Sequence, residues 1–292
     1  MNAFADIATA IGQATGQSFE LADQRQAGGG CINQGLVLTG RDGRRFFVKL
    51  NEARHGEMFA AEAEGLAELD GAAAIRVPRP ITHGTAGNKS FLVLEWLALG
   101  GHGNGADLGR RLAHLHRTTW SHFGWHRDNT IGSTPQTNLA ASDWLAFYGE
   151  QRLGHQLRLA EQNGAPGRLI ADGERLIARL EDFYPGYKPI PSLLHGDLWG
   201  GNYGFAQGEP VLFDPAVYYG DREADMAMTE LFGGFPADFY SAYREAWPLD
   251  PGYATRKTLY NLYHVLNHFN LFGGGYGEQA QTMIGRLLAE SR

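Results

Sequence analysis

Leu193-Leu194-His195-Gly196-Asp197-Leu198-Trp199-Gly200-Gly201-Asn202 decides how this sequence is read. An apolar pair leads into a loop of small residues in which Asp197 and Asn202 stand five positions apart. Val211-Leu212-Phe213-Asp214-Pro215 reads as an apolar strand ending in a carboxylate, Asp214, twelve residues beyond Asn202. Asn202 offers a neutral oxygen and Asp214 an anionic one, the hard donors that octahedral Mg2+ takes. Asp197 is placed to accept or orient a hydroxyl. Taken singly, Asp197 and Asn202 are accounted for by turn hydrogen bonds in a glycine-rich loop. Taken with Asp214 on a hairpin partner, their spacing selects the chemistry.

The D-L-x-x-x-N order is that of a kinase catalytic loop. Phosphoryl transfer asks a protein for a positioned hydroxyl, metal ions held against phosphates and compensation of charge on the oxygens. Upstream residues offer the remaining parts. Lys49 ends the apolar run Phe46-Phe47-Val48-Lys49, as a phosphate-pairing lysine does; a solvated strand end is the alternative. Glu62, thirteen residues later on an expected helix, is its candidate partner. Glu57 and Glu64 compete by spacing, and a solvated helix face explains all three. Gly28, Gly29, Gly30 and Cys31 lie between two expected strands, where backbone N–H groups can cover phosphates. A glycine-rich turn with no ligand is the commoner explanation of such a loop.

Residues 3–15 are compatible with a helix that puts Phe4, Ile7, Ala8 and Ile11 on one face. Short strands follow: one leading toward Gln26, then Gly35 to Thr39 and Arg45 to Leu50, the last two joined across the turn signal Asp42-Gly43. A helix is expected from about Glu57 to Leu69, broken by Val77-Pro78-Arg79-Pro80, and a strand over Phe91 to Leu97. Past the glycine-rich link near residue 100, helices are expected at about 106–118, 142–162, 171–184, 221–232, 236–246 and 253–272. Strands in the first third and helices thereafter indicate an α+β protein of two lobes.

The chain has 292 residues, 43% hydrophobic and 20% charged, ordinary for a folded protein able to bury a core. A net charge of −7 argues against broad nucleic-acid or membrane-surface binding. Cys31 is the only cysteine, so an internal disulfide and a thiolate-rich metal site are excluded. Residues 1–16 lack the pattern of a signal peptide, and Phe91 to Leu99, interrupted by Glu95, is too short to span a bilayer. A soluble cytoplasmic protein is expected.

The sequence resembles the fructosamine kinases (ketosamine-3-kinases), relatives of aminoglycoside phosphotransferases and choline kinases. The resemblance is carried by Leu194 through Asn202, Phe213-Asp214-Pro215-Ala216, Tyr219-Gly220 and Leu231-Phe232-Gly233-Gly234-Phe235-Pro236. It continues in Gly30-Cys31-Ile32-Asn33, Phe47-Val48-Lys49, Met58-Phe59 with Glu62, and Asp143-Trp144 with Arg152-Leu153. Near the end it covers Leu266-Asn267-His268-Phe269-Asn270 and Phe272-Gly273, so it spans nearly the whole chain. It implies a bilobal protein-kinase-like fold: a small β-rich nucleotide-binding lobe over residues 1–98 and a larger, mainly helical catalytic lobe over 99–292. An ATP site with Mg2+ would lie between them. On this likeness Asp197 is the catalytic carboxylate, Asn202 and Asp214 hold metal, and Lys49 braced by Glu62 binds phosphates. The backbone of Glu95 and Leu97 would meet adenine, and Asp225 would brace the catalytic loop. Trp199 would wall the sugar, with a core tryptophan as the alternative. Asn267 and His268 would reach the sugar or its amine, with helix packing as the alternative.

The implied reaction is phosphorylation of the sugar 3-hydroxyl of a ketosamine, free or on a protein lysine, leading to deglycation. A related kinase for an aminoglycoside-like or choline-like amine is the nearest alternative, and a nucleotide-binding pseudokinase the more distant one. The chain is expected to act as a monomer or homodimer. Cys31 is available for a redox link between two chains; a reduced, packed thiol is the alternative.

Other motifs fail. Gly101 to Ala106 fits G-x-G-x-x-A, but no second parallel strand follows its helix, and a hinge linker explains it better. His264 and His268 are four apart on a helix, but Val265 stands where a zinc protease needs glutamate.

Overall fold

The computed structural model describes residues 3–27, 32–100 and 102–291. Gly28, Gly29, Gly30 and Cys31 therefore lie outside the described residues, as does Gly101. The chain divides into two compact units, residues 1–104 with 203–215, and residues 105–202 with 216–292. The division is not one cut in the sequence, because the segment that ends in Asp214 and Pro215 groups with the first unit.

The first unit is built on a five-stranded antiparallel sheet. Its strands are β1 (Leu21–Gln26), β2 (Gln34–Gly40), β3 (Arg45–Glu52), β4 (Pro80–Ala86) and β5 (Lys89–Glu95), in the order β1-β2-β3-β5-β4. Alternation sets the faces. Leu36, Leu38, Phe46, Val48, Leu50, Phe91 and Val93 form one core with Ile7, Ala8 and Ile11 of helix α1 (Ala3–Thr15). A period of two in the strands and of three to four in the helix gives two apolar faces that bury each other. The intervening residues, Lys49 and Leu92 among them, occupy the opposite face, where they are paired across β3 and β5. Helix α2 (Gly56–Gly71) follows β3. β1 is a polar edge strand, exposed along most of its length, a composition that discourages pairing with another chain.

The β2–β3 turn confirms the Asp42-Gly43 signal. Gly43 has φ +82°, its N–H donates to Gly40 O at 3.0 Å, and Asp42 Oδ1 accepts from Arg44 N at 3.0 Å. β4 was not expected, since Pro78 and Pro80 read as breakers. Pro80 is the first residue of an edge strand, where proline costs no ladder bond. The β4–β5 turn is Gly87-Asn88, a two-residue hairpin signal that the sequence does contain. A further hairpin in this unit pairs Tyr203–Ala206 with Glu209–Leu212 through Gln207 (φ +54°) and Gly208 (φ +84°). Leu212 N donating to Arg76 O and Gly100 N to Phe205 O, each at 3.0 Å, tie it to the unit.

In the second unit, α3 (Gly105–Leu115) packs on α8 (Ala237–Ala246). The run from Trp144 to Gln162 is helical throughout: α4 (Trp144–Phe147), a π-helical turn over Tyr148–Gly154, then α5 (His155–Gln162). α6 (Gly167–Ile177) follows Pro166 and stops well short of the expected residue 184; only a single 3-10 turn, Leu180–Phe183, continues it. α7 (Glu223–Thr229), α5 and α10 (Tyr276–Glu290) all pack on α9 (Tyr253–Phe272). α9 is buried continuously from Leu259 to Asn267, as befits a central helix. α10 is a correction to the expectation that helices end at 272: Ala280, Ile284 and Leu287 form an ordinary amphipathic face. Two short strands, Ser192–Leu194 and Tyr218–Gly220, pair antiparallel at the entrance of the 195–202 loop. No helix among the described residues is long and apolar enough to cross a membrane.

Candidate active site

In the first unit, Lys49 lies inside β3, which continues to Glu52, so it is not the strand end that the sequence suggested. It is 5% exposed, which excludes a solvated lysine. Its Nζ meets Glu62 Oε1 at 2.5 Å and Asp214 Oδ1 at 2.7 Å. Burial works against the ammonium, but the two carboxylates outweigh it and raise its pKa above the ordinary lysine value. Burial also pushes the Glu62 carboxyl up, against the pull of Lys49. Helical phase decides between Glu62 and its competitors. Position 62 falls on the α2 face of Met58, Phe59, Leu66 and Leu69, whereas Glu57 and Glu64 lie on the exposed side. The signal was present in the apolar period of the sequence.

Asp214 has φ +58°, a left-handed conformation that few residues other than glycine, asparagine and aspartate adopt without strain. Its side chain is 42% exposed. Glu95 closes β5 and binds its own unit: Oε1 accepts from Arg76 Nη2 at 3.0 Å, and its N–H donates to Arg79 O at 2.8 Å. The Leu97 carbonyl accepts from Leu99 N at 2.9 Å. Arg76, which also approaches Glu209 Oε2 at 3.7 Å, had no sequence signal as a site neighbour.

In the second unit, Asn202 Nδ2 donates to Asp197 O at 2.9 Å and to Asp197 Oδ2 at 3.3 Å. The loop closes on itself through Trp199 N to Asp197 O and Asn202 N to Trp199 O. Gly196 is required here: φ is +83°, and a Cβ would stand 2.0 Å from Ala216 O. Asp225 of α7 braces the loop. Its Oδ2 accepts from His195 N at 2.7 Å and its Oδ1 from Gly196 N at 2.9 Å. Burial acts to raise Asp225, yet these bonds and the His116 ring hold its pKa below the ordinary carboxylate value.

A polar chain fixes the His116 tautomer. Asp225 is a carboxylate and only accepts, so the neutral His116 ring accepts at Nδ1 from the Tyr243 hydroxyl at 2.8 Å, a hydroxyl that itself accepts from Arg222 Nη1 at 3.0 Å. His116 Nε2–H is then left for Asp225 Oδ2 at 3.3 Å. His116, Arg222 and Tyr243 were not identified from the sequence; their partners are far away along the chain.

Trp199 is 39% exposed and so is no core residue. Its ring covers Gly201, where a Cβ would stand 2.2 Å from the indole. It meets Phe232 edge-on at 6.5 Å, and Phe232 in turn packs on the His268 ring at 4.8 Å. Phe272 and Tyr276 flank His268 at 5.6 and 5.1 Å. His268 Nδ1 lies 2.8 Å from His264 O, which only accepts, so Nδ1 carries the proton and Nε2 has the lone pair. Asn267 stands apart. It is 3% exposed, its Oδ1 accepts from Gln156 Nε2 at 3.2 Å, and its Nδ2 donates to Ile131 O at 3.5 Å. It is held within the second unit by these bonds rather than facing solvent.

Burial pushes the His264 imidazole down to about 3, with His268 adding to the effect. A histidine depressed in the fold is protonated first in the unfolded chain. Its stabilising contribution is complete above the ordinary value of 6.5 and is lost as pH falls toward the folded pKa. Acidification from about pH 6.5 to 4.5 should cost about 2–3 kcal/mol through His264 alone. Urea unfolding at both pH values should show His264→Asn losing less stability than the parent; identical losses would refute this account.

Hard oxygens and a buried ammonium make up these residues, and no cluster of three or more His, Cys, Asp or Glu able to hold a metal occurs among the described residues. Among them, the Asp214 carboxylate of the first unit and the Asn202 carboxamide oxygen of the second are each hard donors of the kind that Mg2+ takes. An antiparallel sheet carrying a lysine–glutamate pair, followed by a helical unit with an Asp-Asn loop, defines a kinase-like phosphotransferase with an alcohol acceptor. A crystal structure of a putative fructosamine-3-kinase from Haemophilus somnus has a TM-score of 0.88 and 30% identity, covering 97% of this chain and 96% of that one. A family model described as fructosamine kinase matches residues 3–290. The chain belongs to the fructosamine kinase family. It is 50% identical to a Synechocystis sp. protein named probable ketoamine kinase, over 97% of this chain and 96% of the relative. It is 43% identical to a chloroplastic protein-ribulosamine 3-kinase of Arabidopsis thaliana, over 92% of this chain and 83% of the relative.

Proposed function

We propose that the protein transfers the γ-phosphoryl group of ATP to the sugar 3-hydroxyl of ketosamines, fructosamines or ribulosamines, free or on protein lysines. The observation that carries this reading is the Asp197 loop, in which Asn202 holds the carboxylate and Asp225 holds the backbone beside it. The acceptor is supported by relatives named for ketoamines and protein ribulosamines.

Asp197 takes the proton of the 3-hydroxyl as its oxygen bonds to the γ-phosphorus. The bond from that phosphorus to the β–γ bridging oxygen breaks, and ADP leaves. Lys49, oriented by Glu62, meets the α- and β-phosphates. The Glu95 and Leu97 backbone meets adenine. Asn202 and Asp214 are the residues that would hold Mg2+, which when bound neutralises phosphate charge. Trp199 supplies an apolar wall for the sugar, and the His268 Nε2 lone pair accepts from the substrate amine. In the product, enolisation toward carbon 1 expels the 3-phosphate as inorganic phosphate. Water then hydrolyses the resulting imine, releasing the free amine and an unphosphorylated 3-deoxy-2-oxo aldehyde, so the sugar is removed from the amine.

ADP release with Mg2+ on ribuloselysine, fructoselysine, an aminoglycoside and choline tests the reading. Turnover is expected on the two ketosamines only. Turnover on choline or the aminoglycoside with none on either ketosamine would overturn the substrate assignment.

A further inference from the structure

His264 is a buried group that the proposed mechanism leaves unused. It sits midway along α9 and is 4% exposed. Its Nδ1 has no hydrogen-bond partner among the described residues. That same nitrogen stands 4.0 Å from Asp197 Oδ1. A buried polar atom left unpaired is costly, and an apolar side chain would satisfy this part of α9 better, among Tyr260, Leu262, Tyr263, Val265 and Leu266. The separation exceeds a hydrogen bond. Catalytic hydrogen bonds are often long in free enzymes and tighten when substrate binds.

We propose that His264 is a positioning residue for phosphoryl transfer, its Nδ1–H closing onto Asp197 Oδ1 when the hydroxyl-bearing substrate is bound. The inference rests on the reading of Asp197 as the acceptor of the hydroxyl proton. Asn202 Nδ2 already approaches Oδ2 at 3.3 Å. A donor on Oδ1 as well fixes the carboxylate plane from both sides, so the lone pair that meets the hydroxyl has one direction. His264 suits the task because it is neutral. A neutral Nδ1–H orients the carboxylate without handing it the proton that it must take from substrate. The arrangement sets geometry, so its loss falls on turnover and not on the affinity for ATP.

Three substitutions separate this role from packing. His264→Asn keeps an N–H donor near the position of Nδ1, His264→Gln moves the donor out toward Nε2, and His264→Leu removes it. Steady-state kinetics on the better ketosamine should show kcat falling about tenfold to a hundredfold in the leucine and glutamine variants. KM for ATP should stay within about twofold, and the asparagine variant should recover most of the turnover. In an Asp197→Asn background, His264→Leu should cause no further loss. Equal kcat in the asparagine and glutamine variants, or kcat and KM for ATP changing together, would overturn the inference. If the leucine variant does not fold, the asparagine–glutamine comparison still decides. Asp197→Asn with undiminished turnover would sink the reading of Asp197 itself, whereas an inactive Asp197→Asn beside a fully active His264→Leu would sink only the role of His264.

Discussion

Asp197→Asn is expected to lower kcat on a ketosamine by about a hundredfold to ten-thousandfold, the range that a positioned general base contributes. The substitution is nearly isosteric, and the carboxamide oxygen can still accept from Asn202 Nδ2, which now lies 3.3 Å from Oδ2. What it removes is the ability to take a proton from the sugar hydroxyl as the oxygen attacks phosphorus. The loop is held by groups other than this side chain: Asp225 on the His195 and Gly196 amides, and the turn bonds from Trp199 and Asn202. ATP affinity should therefore stay within about threefold, and urea unfolding should change by about 0.5 kcal/mol or less. Loss of turnover with ATP bound and the fold intact assigns Asp197 to chemistry. A parallel loss of stability would assign the effect to folding, and kcat within threefold of the parent would remove Asp197 from the mechanism.

The candidate site was legible where its geometry is local along the chain. Asp197 and Asn202 are five residues apart, and one turn brings the amide onto the backbone carbonyl and the carboxylate. Lys49 and Glu62 were legible as a strand followed by a helix, and the apolar phase of α2 could have chosen Glu62 outright. Asp225 was reached through resemblance alone, since nothing in the spacing says that a helix residue 29 positions on will hold the Gly196 amide. His116 and Tyr243, 127 positions apart, were invisible for the same reason. In the sequence His264 reads only as half of a zinc motif, and its nearness to Asp197 comes from the packing of α9 in the second unit. Of the fold, α9 was delimited correctly because its apolar residues are continuous. β4 was missed because two prolines outweighed the Gly87-Asn88 turn, though proline at the start of an edge strand breaks nothing. α10 was missed although its apolar period is present. The short pair Ser192–Leu194 and Tyr218–Gly220 is too brief for any pattern, and its register comes from tertiary packing.

Replacing Asp225 should cost more stability than any other single change at the site. It is buried, and three donors converge on its carboxylate: His195 N, Gly196 N and His116 Nε2. Asp225→Ala leaves all three buried without an acceptor, which should cost about 3–5 kcal/mol of unfolding free energy in urea. Asp225→Asn should recover little of this, because its amide nitrogen would face an N–H of His195, Gly196 or His116, donor against donor. The sign of the pH dependence is fixed by the depressed Asp225 pKa. The stabilisation is present above the unfolded carboxylate value and is lost as pH falls through the folded one, so the variants should show a flatter acid limb than the parent. Turnover should fall as well, even where the variant is still folded. Gly196 has φ +83° and no room for another path past Ala216 O, so the backbone that releases the Asp225 bonds carries Asp197 with it. Measured below the unfolding transition, Asp225→Ala should lose kcat about a hundredfold while retaining ATP affinity. Full turnover in a variant destabilised by this amount would show that Asp225 serves the fold alone, and that the Asp197 loop keeps its geometry without it.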